Sequence, residues 1–217
     1  YAVIGVLSLL LAGCEDFLDK REDSGGLTED AVYSSYESIR GFLDQVYPKL
    51  EAYNTFEGAD DGKNQRTYVG VMGDEMSATY NKTAFAKFFS GSWLTTDKAA
   101  NVAEVGNGNN TPVGKALPAI RIVNRVIANI DKVPLTGEQR NEILGQAYFY
   151  RAWFYFNVIK RYGGMPILDV LFAGGDDDIP RVTYHESSAW MGGDIDQAIS
   201  MLPDTWPDNQ YGRPTKL

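Results

Sequence analysis

The stretch Tyr148-Phe-Tyr-Arg-Ala-Trp-Phe-Tyr-Phe-Asn-Val-Ile-Lys-Arg-Tyr-Gly-Gly-Met-Pro-Ile167 decides how this chain folds. Seven of the nine residues from Tyr148 to Phe156 are aromatic, too many to share one face of a helix. A helix that is apolar all round is buried on several sides. The stretch therefore reads as a central core helix in preference to a row of ligand-stacking rings. Arg151 and Asn157 interrupt the aromatics and need partners if they are buried. Upstream, Thr136 and Gln139 make a capping box, which starts the helix there. Running to Tyr162, it would span about 39 Å at the usual helical rise. Lys160 and Arg161 suit the negative end of its dipole. Gly163-Gly164 stops it and Pro166 confirms the stop.

Neighbouring segments also read as helices. Leu117, Ile120, Val123, Ile127 and Ile130 form an apolar face that begins near Pro112 and ends at Val133-Pro134. The short connection to the central helix predicts an antiparallel pair. Thr183 and Glu186 box the start of a further helix, whose stripe is Met191, Ile195, Ala198 and Leu202, closed by Pro203. Before these, Ser34 and Glu37 are read as capping a helix from Ser35 to Glu51. Its stripe is Ile39, Phe42, Leu43, Val46, Tyr47 and Leu50, and Pro48 ends or bends it. Residues 54–70 read as polar, Gly-rich loop, residues 71–113 give no clear pattern, and Gly106 to Asn110 is an excursion without core-forming residues. Apolar-Pro endings at Pro134 and Pro203 lie at about twice the tetratricopeptide period. Two such endings do not establish a repeat, but they point to helix pairs stacked in a solenoid-like array.

The N-terminus sets the expected location. Ala2 to Ala12 is almost uniformly apolar, ends in Leu11-Ala-Gly-Cys14, and is too short to span a bilayer. Small residues before a cysteine are the pattern of a bacterial lipoprotein signal. Residues 1–13 are thus expected to be removed as a partial signal peptide, with lipid on Cys14. Residues 14–34 are expected to be the lipidated end and an extended tether, and 35–217 a helical domain. Cys14 is the single cysteine, so lipidation leaves no disulfide. A net charge of −9 argues against nucleic acid and anionic membrane surfaces as partners.

The central motif, Arg151 to Ile167, resembles the signature helix and turn of the SusD/RagB family of outer-membrane nutrient-binding lipoproteins. Cys14-Glu-Asp-Phe-Leu-Asp19 resembles that family's mature N-terminus, and Gly73-Asp-Glu75 its acidic pair. Ala119 to Asn124 resembles its helix bearing an Arg and an Asn. Asp194 to Pro203 resembles its aspartate-led helix, and Gly212 to Lys216 the start of its next helix. The resemblance implies a mainly α fold of tetratricopeptide-like helix pairs, forming a right-handed superhelical scaffold with long loops. Family members are usually over twice this length, so the chain reads as an N-terminal portion.

The resemblance also implies a function. The lipoprotein would sit on the outer face of the outer membrane and capture a nutrient, usually an oligosaccharide or polysaccharide and in some relatives a peptide. It would close as a lid over a SusC-like TonB-dependent transporter. Glu15-Asp16 fits an acidic export tag or an ordinary solvated tether equally well. Exposed aromatics stack on sugar faces while amides bond the hydroxyls. Trp93, in the polar stretch Ser90 to Thr96, and the nearby Tyr80 and Asn81 are the candidate ligand residues; for Trp93, pinning its loop to the core is the alternative.

Trp190 and Trp206 read as packing residues at helix ends. No enzyme, cofactor or metal centre is expected. His185 reads as a surface residue, and zinc-ligand spacing is absent. Asp176-Asp-Asp178 lacks the calcium-loop pattern and reads as a solvated loop. Neighbouring acids such as Asp74 and Glu75, or Asp194 and Asp196, do not by themselves make a glycosidase pair. A surface glycosidase and a repeat scaffold binding only protein remain as rival classes. Radiolabelled palmitate fed to expressing cells should label the full-length protein, and Cys14→Ala should abolish the label.

Overall fold

The computed structural model describes residues 28–50, 55–60, 63–68, 91, 112–171 and 178–216. Five α-helices, three short 3-10 turns and one hairpin are seen among them: α1 Glu29–Val32, α2 Tyr36–Leu43, β1 Thr55–Asp60, β2 Lys63–Tyr68, α3 Pro112–Asn129, α4 Gly137–Tyr162 and α5 Tyr184–Met201. The described chain is mainly helical, as expected. No described helix is long and apolar enough to cross a membrane.

Helix α4 lies at the centre and packs against both α3 and α5. Of its aromatic run, Tyr150, Phe154 and Tyr155 are buried, while Tyr148, Phe149 and Trp153 are half-buried against the core. Phe156 is 37% exposed, so the helix is covered on most sides but not all. Its start is the expected capping box: Gln139 N–H donates to the Thr136 hydroxyl and Thr136 N–H donates to the Gln139 side chain. Helix α5 begins with the same box, built from Thr183 and Glu186. The two hydrogen bonds Glu186 accepts from Thr183 hold its carboxyl below the ordinary range.

Several expectations need correction. The chain from Thr28 to Tyr33 is not extended tether. Thr28 caps α1, and Val32 and Tyr33 join the core. The first long helix is capped by Ser35, not Ser34, and its α-helical part stops at Leu43. Residues Asp44–Lys49 continue as a 3-10 helix that contains Pro48. Proline has no N–H for the ladder, which is consistent with the change of winding. The stripe itself holds, with Ile39, Phe42, Leu43 and Val46 buried.

In α3 and the turn after it the expected stripe holds at Ile120, Val123 and Ile130, which are buried, and at Ile127, which packs partly buried against the core, but not at Leu117. Ala116, Ala119, Ile120, Val123 and Val126 are buried, whereas Leu117 is 45% exposed. Residues 55–60 and 63–68 are not loop but an antiparallel pair, with Thr55 opposite Tyr68 and Asp60 opposite Lys63. The two residues joining them are Asp61-Gly62, a pair that two-residue hairpins favour. That signal was legible, although the strands lack apolar alternation.

The end of α4 is fixed by two glycines with different jobs. Gly163 has φ +78°, a left-handed conformation that side chains resist. Gly164 is a close-approach point: an added Cβ would lie 2.0 Å from the Val182 carbonyl oxygen. Arg181 then seals the turn, donating from Nε to Gly164 O and from an Nη to Tyr162 O. We expect Gly164→Ala to lower stability by about 2–3 kcal/mol or more, because the obstruction is backbone. Gly41→Ala, where a Cβ meets nothing within 4 Å, should instead stabilise by ~0.5–1 kcal/mol. Urea unfolding followed by circular dichroism measures both.

Candidate functional site

Cys14, Tyr80, Asn81 and Trp93 lie outside the described residues, as do Asp176 and Asp177. What the described residues display is a helical frame with a cleft on its side.

The frame is centred on Arg151. Its guanidinium grips Asp194 of α5 through two bonds, Nε to Oδ2 and Nη2 to Oδ1, each 2.7 Å. Its third donor reaches Asn124 Oδ1 of α3 at 2.9 Å. The side chains of Arg151 and Asp194 are only 6% and 7% exposed. The ring of Trp190 lies 4.9 Å from the guanidinium carbon, and Tyr148 lies 5.4 Å away on the same helix as Arg151. One buried cation therefore joins three helices, and two aromatic faces add cation–π contacts to its charged bonds. Asn157, the second polar interruption, donates to Trp153 O of its own helix.

The network continues into the segment after α4. Asn124 Nδ2 donates to the carbonyls of Leu168 at 2.9 Å and Val170 at 3.2 Å. The Tyr155 hydroxyl donates to Pro166 O and accepts from Leu168 N–H. Burial pushes the pKa of this hydroxyl up, so it stays protonated and keeps both bonds. Ser187 of α5 pairs with Met165, accepting from its N–H and donating to its carbonyl. Residues 165–170 are thus held down by side chains and not by a sheet.

A second clasp holds the C-terminal stretch. Arg213 makes two bonds to Asp44 and one to Gln146 of α4, with distances of 2.6–2.8 Å. Burial opposes its charge, but the Asp44 carboxylate outweighs that, and the Arg213 pKa is raised. Trp206 donates from its indole N–H to Pro214 O and packs beside Arg213 beyond the end of α5. Trp190, in contrast, lies within α5 and packs against Tyr155 with its ring tilted by 50° and ring centres 4.6 Å apart. Both tryptophans serve packing, but only Trp206 is past a helix end.

The cleft, of about 250 Å³, lies between α3 and the segment after α4. Leu117, Arg121 and Arg125 line one side, and Leu168, Val170 and Leu171 the other. Among the described residues no aromatic ring lines it. His185 is exposed in the first turn of α5, and Asp178 is also exposed. Among the described residues no three His, Cys, Asp or Glu side chains are grouped to hold a metal ion. Asp194, one of the many acids in the sequence, is bound to Arg151 and buried away from any ligand. The sequence signalled that Arg151 needed a partner on an otherwise apolar helix, but nothing along the chain singled out Asp194.

Comparison with known proteins gives these clasps a context. A SusD-like family model, described as starch-binding and associating with outer membrane, matches residues 16–217. The chain belongs to the SusD-like family. It is similar to SusD-like protein P2 of Formosa agariphila, with 22% identity over 92% of this chain and 37% of that protein. A SusD-like protein of Bacteroides fragilis superposes with a TM-score of 0.60 and 21% identity, over 87% of this chain and 34% of that one. Surface glycan-binding protein A of Bacteroides uniformis superposes with a TM-score of 0.58 and 18% identity, over 83% and 39%. The chain thus spans little more than a third of these relatives' lengths.

Arg151→Met should destabilise the fold by about 3–5 kcal/mol, because it strands Asp194 in the core. Adding Asp194→Leu should recover much of that loss, since no uncompensated charge remains. A double-mutant cycle of urea midpoints checks this. Equal, additive losses for the two changes would show that the pair does not act as a unit.

Proposed function

We propose that this chain is part of a cell-surface lipoprotein that binds a nutrient glycan and passes it to a SusC-like TonB-dependent transporter, closing over it as a lid. The observation that carries this reading is the match of the starch-binding, outer-membrane-associated family across residues 16–217. In this reading lipid on Cys14 anchors the protein to the outer membrane, facing outward. The family is described as starch-binding and one similar structure is named a surface glycan-binding protein, which supports binding. We assign the protein binding without hydrolysis.

The ligand contacts are proposed for Trp93, with Tyr80 and Asn81 beside it in the sequence. An indole offers a flat apolar face to the C–H side of a sugar ring, and a phenol and an amide can bond its hydroxyls. The helices clasped by Arg151 and Arg213 are the kind of rigid support from which binding loops act. The cleft beside α3 is not assigned to sugar, because its described lining is aliphatic and arginine apart from Asn124, whose amide is already bonded.

Electrophoresis of the full-length protein in native gels containing different polysaccharides tests the reading. One glycan should retard migration, and Trp93→Ala should weaken its binding by about 30-fold, the effect of removing an aromatic anchor worth ~2 kcal/mol. Far-UV circular dichroism should be unchanged in the variant. Failure of every glycan to retard the protein, with an oligopeptide bound instead, would replace the sugar by a peptide. Release of reducing ends from a bound polysaccharide would make it a glycosidase.

A further inference from the structure

We draw no further inference here: the strongest candidate, the flank of α5 on which Tyr184 and Ile199 are exposed and Ile195 is half-buried between them, carries nothing because nothing in the structure shows what covers it.

Discussion

The fold turns on a cation placed where cations are expensive. Arg151 sits within an aromatic helix and is almost wholly removed from water. Desolvating a guanidinium and a carboxylate costs several kcal/mol each, and their attraction offsets this only when the geometry is good and the remaining donors are satisfied. Here Asp194 takes two of the donors, Asn124 takes a third, and two rings flank the plane. A hydrophobic cluster tolerates sliding between helices, whereas a bidentate ion pair does not. The pair therefore fixes the register of α3, α4 and α5 while the apolar side chains around it supply the bulk of the stabilisation.

That constraint extends into the irregular chain. Asn124 receives from Arg151 and passes its own donors to the carbonyls of Leu168 and Val170. Tyr155 and Ser187 secure Pro166, Leu168 and Met165. Gly164 permits this segment to lie against the start of α5, where any side chain would meet the Val182 carbonyl. The family's signature motif thus encodes a helix, its stop and the anchoring of the irregular segment beyond it. Within it, Arg151 and Asn157 are committed to structural hydrogen bonds.

The cleft beside α3 arises from the same arrangement. Holding residues 168–170 against Asn124 places Val170 and Leu171 near Leu117 and leaves an aliphatic recess rimmed by arginine.

How much was visible beforehand depended on the range of the interaction. The limits of α4 and α5 were legible from Thr136, Gln139, Gly163, Thr183 and Glu186, because capping and termination are settled by residues within one turn. The demand of Arg151 for a partner was legible too. The identity of that partner was not: Asp194 is 43 positions away and one of 29 acids, and only packing α5 on α4 selects it. The Asp61-Gly62 hairpin was encoded locally but obscured by polar strands, and the exposure of Leu117 depended on which face α4 claimed. By itself the sequence determined helix ends, the apolar stripes and the family motif, since these depend on neighbours along the chain. The tertiary structure decided which charge pairs with which and which apolar side chains remain outside, since both depend on surfaces that meet only after folding.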